Sequence, residues 1–104
     1  MSIFERGEFL GEWRGTVYNP VPWQTDDTPS ETASGRIIVP GFTIAVDRNH
    51  WELGTLFYIE GIGVVRADDT GSKVRGRNRF DWLVGSVPWA REMGVFYRRV
   101  WLVR

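Results

Sequence analysis

Three carboxylates, Asp47, Asp69 and Asp81, stand where an aspartate can do more than hold a surface in water. Asp47 ends the apolar run Ile44-Ala45-Val46, so its carboxylate is expected to be partly desolvated. Asp69 precedes Thr70-Gly71, a turn whose small residues let the backbone come close. Asp81 lies between Phe80 and Trp82. Burial beside large aromatic side chains disfavours the ionised form of a carboxyl group, and a second carboxylate nearby pushes the same way. A carboxyl group kept protonated near neutral pH is what a general acid requires. Each position also has an ordinary reading. Asp47 fits an Asx turn entering Arg48-Asn49, Asp69 fits a cap on the Thr-Gly turn, and Asp81 fits an ion pair with Arg77 or Arg79. The residues alone leave both readings open and describe a β-domain with an acidic cleft.

Other chemistries are narrowed by composition. The chain has no cysteine, which removes disulfides, thiolate nucleophiles and cysteine metal sites. Its one histidine, His50, has no metal-ligand spacing and reads as a surface or loop residue. No metal and no cofactor is expected. Lys+Arg and Asp+Glu are both 13, so the chain lacks the basic excess of a nucleic-acid binder. Lys73, Arg75, Arg77 and Arg79 alternate along one stretch, which reads as a solvated face or as contact with an anionic or sugar polymer. No apolar run approaches the roughly 20 residues that span a bilayer, and the first ten residues do not read as a signal peptide.

The elements that must hold these carboxylates are short strands punctuated by glycine. The length of 104 residues, with 42% hydrophobic and 25% charged residues, suits a single folded domain over 1–104. Strands are expected at 12–18, 36–39, 42–46, 55–60, 63–67 and 95–103, with a tight hairpin at Gly61-Ile62-Gly63. Residues 20–29, rich in proline and acid, read as one long loop. One helix is expected at 86–94, with Ser86 as its N-cap, Pro88 in its first turn and Gly94 at its end. So many short strands argue for a small closed β-barrel, which leaves no exposed edges. Among the six tryptophans, Trp23 in the polar loop and Trp82 beside Asp81 read equally as core and as platforms for stacking on sugar rings.

The order of the segments adds what the single residues lack. Val17-Tyr18-Asn19-Pro20 is followed by Thr32-Ala33-Ser34-Gly35 and by Gly41-Phe42-Thr43-Ile44-Ala45-Val46-Asp47. Leu53-Gly54-Thr55, Asp69-Thr70-Gly71-Ser72, Arg75-Gly76, Phe80-Asp81, Ala90 and Gly94 come next. This series resembles the 3D domain, named for its three aspartates, and the related region of membrane-bound lytic transglycosylase A. It departs in one extra residue around Arg77-Asn78-Arg79, in Arg75 where a lysine is usual, and in Asp68 before Asp69.

The resemblance implies a mainly β fold, a small six-stranded double-psi β-barrel. It implies non-hydrolytic cleavage of the β-1,4 bond between N-acetylmuramic acid and N-acetylglucosamine. Asp81 would be the acid/base, with Asp47 and Asp69 as the other family aspartates holding its hydrogen-bond network and raising its pKa. Thr32, Ser34, Gly71, Gly76 and Trp82 would contact substrate. The expected partner is a peptidoglycan glycan strand, met by a monomer with no nucleic acid and no membrane insertion. A lysin-like enzyme of bacteriophage origin, made in the cytoplasm and brought to the wall by a partner or a virion, fits this reading, and so does a truncated bacterial domain. A non-catalytic glycan-binding or structural virion module on the same fold is the alternative, and a hydrolase using a second carboxylate is a nearer one.

Overall fold

The computed structural model describes residues 5–18, 35, 39, 41–71, 73–84 and 94–104. Within these, six strands are formed: β1 (Arg6–Tyr18), β2 (Thr43–Ala45), β3 (Leu56–Ile59), β4 (Gly63–Asp69), β5 (Arg79–Leu83) and β6 (Phe96–Val103). They close into one barrel in the order β1-β5-β2-β4-β3-β6. The pairs β1/β5 and β2/β4 are parallel, and the other four pairs are antiparallel. Closure gives each strand two neighbours, so no edge is left to recruit another chain.

Period-two alternation explains what each strand buries. On β5, Phe80 and Trp82 point into the barrel while Arg79 and Asp81 remain partly exposed. On β6, Phe96 and Val100 are buried while Tyr97 and Arg99 are exposed. Trp13 of β1 lies at the centre, 5.2 Å from Phe57 and 5.4 Å from Trp51 between ring centroids. Gly15 comes next on β1 and packs against rings rather than carrying one. A Cβ there would lie 2.4 Å from Phe80 Cζ and 2.8 Å from Phe96 Cε2. Those two rings meet edge to face at 5.7 Å, a pairing that needs the space a glycine leaves.

The hairpin expected at residues 61–63 is present. Ile59 pairs with Gly63, and Ile62 N–H donates to the Ile59 carbonyl at 3.0 Å. Two expectations change. β1 begins at Arg6 rather than at residue 12, through two register irregularities opposite β6. Residues 79–83 form a strand, β5, that the sequence reading had treated as a charged stretch followed by a site motif. No helix occurs among the described residues, and the one expected at 86–94 lies outside them but for Gly94. The expected strand at 36–39 and the loop at 20–29 with Trp23 likewise lie outside them, except for Val39.

One irregularity matters for the site. Along the parallel pair β2/β4, Ile44 faces Ala67 but Ala45 faces Asp69. β4 thus advances two residues against one, a β-bulge at Asp68. Asp68 is fully buried there and is satisfied by Thr43 Oγ1 at 3.0 Å and Arg66 Nε at 2.6 Å. Thr43 Oγ1 in turn accepts from Val39 N–H at 3.0 Å, which anchors the chain entering β2.

Gly15→Ala is expected to destabilise the barrel by about 1–3 kcal/mol, as overpacking of a filled core does. A denaturant midpoint unchanged from the unsubstituted protein would show that Phe80 and Phe96 do not need that space.

Candidate active site

Asp81 is placed by strand register. On β5 it faces Thr16 of β1 on one side and Ala45 of β2 on the other. Ala45 in turn faces Asp69 of β4. Thr16, Asp81, Ala45 and Asp69 therefore form one row across four adjacent strands. Two strand spacings put the Cα atoms of Asp81 and Asp69 roughly 10 Å apart. Ala45, the residue between them in the row, is small and buried.

Thr16 Oγ1 donates a hydrogen bond to Asp81 Oδ1 at 2.8 Å. Among the described residues Asp81 makes no ion pair, with Arg77, Arg79 or any other cation. Burial pushes the Asp81 carboxyl above the ordinary carboxylate range. The Thr16 bond works against this, and the negative charge of Asp69 adds to it. Desolvation outweighs the single hydrogen bond, which is the balance a general acid needs. Asp81 opens into a groove of about 370 Å³, whose described walls include Arg14, Thr16, Val17, Lys73, Val74, Arg79 and Phe80. That size falls within the usual range for small-ligand sites.

Asp47 does different work. Its Oδ2 accepts from Gly76 N–H at 2.8 Å and its Oδ1 from Asn49 N–H at 3.0 Å. These two bonds hold its carboxyl below the ordinary range despite burial, with His50 and Arg75 acting in the same direction. Gly76 reaches this bond with φ at +106°, a conformation that side chains disfavour. A second tie lies alongside. Trp51 Nε1 donates to the Arg77 carbonyl at 2.8 Å, and the Arg77 guanidinium sits 4.4 Å over the Trp51 ring. Asp47 and Trp51 together fasten the β4–β5 connection, which supplies Lys73 and Val74 to the wall beside Asp81.

A model of the 3D domain matches residues 42–104, more than half of the chain. The chain belongs to the 3D domain family. Solved structures agree on the fold. The lytic transglycosylase MltA of Escherichia coli superposes with a TM-score of 0.64 at 22% identity, covering 74% of this chain and 28% of that one. LtgG of Burkholderia pseudomallei, also a lytic transglycosylase, gives 0.63 at 23% identity, covering 75% and 27%. MltA of E. coli with bound chitohexaose gives 0.61 at 23% identity, covering 74% and 28%. This chain thus spans little more than a quarter of the length of the enzymes it matches. Among curated proteins none matches the sequence. The closed six-stranded barrel is the double-psi β-barrel of the MltA type.

In this 3D domain the three aspartates hold three distinct positions. Asp81 faces the groove, Asp69 lies two strands away in the same row, and Asp47 fastens a loop. Asp69 Oδ1 accepts from Thr70 N–H at 2.9 Å, and its carbonyl accepts from Val46 N–H at 3.0 Å. Asp69 raises the Asp81 pKa, as the resemblance implies, while Asp47 acts through the loop and not on that charge. Gly71 lines a smaller groove of about 220 Å³ with Asp47, Thr70 and Val74. Gly76 serves Asp47 through its backbone. Thr32 and Ser34 lie outside the described residues.

Trp82 requires a correction. It is 5% exposed, and its Nε1 donates to the Gly41 carbonyl at 3.1 Å. Strand alternation turns it into the barrel, opposite to Asp81, so its ring offers no face to a sugar. Three residues of the site went unsuspected in the sequence: Thr16, the buried Asp68, and Tyr18. The Tyr18 hydroxyl is buried with no hydrogen-bond partner among the described residues. Burial, reinforced by the charges of Asp69, Asp81 and Asp68, pushes its pKa far up, so the phenol stays neutral.

The two shifted aspartates should affect stability with opposite sign. Asp47, with its lowered pKa, contributes stability that is present above the ordinary carboxylate value of about 4 and lost as pH falls through its folded value. Asp47→Asn should therefore melt below the unsubstituted domain at neutral pH and match it in acid. Asp81, with its raised pKa, costs stability once ionised, so Asp81→Asn should melt higher at neutral pH with the gain vanishing in acid. Melting curves at pH 7 and in acid check both, and shifts of the same sign in the two variants would contradict the assignment.

Tyr18→Phe removes a buried hydroxyl with no partner among the described residues, whose desolvation costs roughly 1–3 kcal/mol. Urea unfolding should find the variant equal or more stable, and a loss beyond about 1 kcal/mol would reveal a partner for that hydroxyl.

Proposed function

We propose that this 3D domain is a peptidoglycan lytic transglycosylase, with Asp81 as both acid and base. The observation that carries the proposal is a desolvated carboxyl group, bonded on one oxygen only among the described residues and opening into a ligand-sized groove. Membership of the 3D family and the MltA-type barrel support it. That MltA has been solved with chitohexaose supports a β-1,4-linked amino-sugar chain as the ligand.

In the proposed reaction Thr16 holds Oδ1, which leaves Oδ2 to carry the proton. Protonated Asp81 donates that proton to the glycosidic oxygen between N-acetylmuramic acid and N-acetylglucosamine. The bond from C1 of the muramic acid to that oxygen breaks, and the N-acetylglucosamine leaves with a free hydroxyl. The ionised Asp81 then takes the proton of the C6 hydroxyl on the same muramic acid. O6 attacks C1 and closes a 1,6-anhydro ring. Asp81 ends protonated, and no water is consumed. Because the nucleophile belongs to the substrate, no second carboxylate has to attack C1, unlike in ordinary retaining glycosidases. Asp69 contributes charge and Asp47 contributes position. We place the activity in cell-wall degradation of the lysin type.

Purified peptidoglycan incubated with the protein should release soluble fragments ending in 1,6-anhydromuramic acid, read by mass spectrometry. Asp81→Asn should lower turnover by about 10²–10⁴-fold with the fold intact, the usual worth of a general acid/base. Reducing-end products would make the protein a hydrolase and give Asp69 the second carboxylate role. The absence of soluble product from folded protein would favour a glycan-binding or structural module.

A further inference from the structure

The groove beside Asp81 is cationic in a chain with no net charge. Arg14, Lys73 and Arg79 all line it, while Asp81 is the one carboxylate in its described wall. None of the three cations makes an ion pair with a described residue. Several other arginines of the domain are engaged. Arg66 pairs with Asp68, Arg104 lies 3.9 Å from Glu5, Arg77 covers Trp51, and Arg6 covers Trp101 at 4.9 Å. Three cations with no ion-pair partner among the described residues thus meet where a ligand would lie.

Their placement is ordered by strand register. Arg14 of β1 stands directly opposite Arg79 of β5, two residues before the facing pair Thr16 and Asp81. Two residues along a strand is roughly 7 Å. The two guanidinium groups therefore form a rung one step from the acid. Lys73 comes from the loop fastened by Asp47 and Trp51. Guanidinium groups favour planar, bidentate carboxylates, and such charge-assisted bonds are stronger than neutral ones.

We propose that Arg14 and Arg79, with Lys73 beside them, form a subsite for a carboxylate carried by the glycan next to the scissile bond. This rests on the proposed reading of the site and narrows its substrate. N-acetylmuramic acid differs from N-acetylglucosamine by the lactyl ether on C3, within the same ring whose C1 is cleaved. That ether ends in a carboxylate or, in peptide-bearing strands, in a stem that carries carboxylates. The groove would then distinguish muramic acid from the neutral sugars of chitin by charge, one side-chain step from the acid that breaks the bond.

The test is equilibrium binding to the Asp81→Asn protein, which separates recognition from turnover. Four ligands are compared: peptide-free glycan strands, the same strands as methyl esters, peptide-bearing strands and chitohexaose. The free-acid strands should bind about tenfold more tightly than their methyl esters and than chitohexaose, as loss of a charge-assisted pair implies. The preference should fall to about twofold in roughly 0.5 M salt, where charges are screened. It should also collapse in an Arg14→Gln/Arg79→Gln variant and survive largely in Arg14→Lys/Arg79→Lys. Tighter binding of peptide-bearing than of peptide-free strands would assign the carboxylate to the stem, and weaker binding would assign it to the lactyl group, whose carboxylate the stem's amide bond removes.

Equal binding of acid and ester would overturn the subsite, as would an unchanged preference in the double glutamine variant. Should that variant fail to fold, the acid–ester comparison in the otherwise unsubstituted domain decides by itself. A carboxylate preference without any anhydro product would leave the subsite standing and remove the proposed reaction. Anhydro product formed equally well from acid and ester would do the reverse.

Discussion

The site depends on keeping one carboxyl group partly out of water with no cation paired to it among the described residues. Asp81 sits on a strand that has neighbours on both sides, and its carboxyl is partly buried there. A surface aspartate in the same groove would be hydrated, ionised and paired with the adjacent arginines. Here the described hydrogen bond is one, from Thr16, and it is too little to outweigh the burial. Asp69 adds charge from two strands away, near enough to disfavour a second negative charge.

The remaining parts of the domain make this arrangement rigid. The bulge at Asp68 shifts β4 by one residue against β2, which is why Asp69 rather than Asp68 reaches the row with Asp81. Asp68 is then buried, and its bonds to Thr43 and Arg66 satisfy it in place. Asp47 holds the β4–β5 connection through Gly76 N–H and its own turn through Asn49 N–H, and Trp51 ties the same connection to the aromatic core around Trp13 and Phe57. One wall of the groove is therefore a loop clasped at two points. Two aspartates with opposite pKa shifts follow from these settings: one is bonded by backbone donors, the other is desolvated.

Much of this was legible in the sequence, and the rest was not for identifiable reasons. The order of the motifs carried the family and its barrel, because each glycine-punctuated segment falls where a strand or turn must be. β5 was missed since its arginines merged with the charged run before it, although Phe80, Trp82 and their polar neighbours alternate as a strand does. The same oversight misassigned Trp82: adjacent residues in a strand face opposite sides, so an aromatic beside Asp81 in sequence is not beside it in space. Asp81 was expected to be desolvated by its flanking aromatics and is instead desolvated on the other face of the sheet. Thr16 lies 65 residues from Asp81, joined by a parallel pairing that no local pattern encodes. Tyr18 belonged to a recognised motif, yet its orphaned hydroxyl depends on how strands from both halves of the chain close around it.

The most direct test is to titrate the Asp81 carboxyl carbon by nuclear magnetic resonance, in the unsubstituted domain and in Asp69→Asn. The midpoint should lie above the ordinary aspartate value of about 3.9 and should move down when Asp69 loses its charge. A midpoint at or below the ordinary value would mean that water or a cation stabilises the ionised form, and Asp81 could not then be the acid described here.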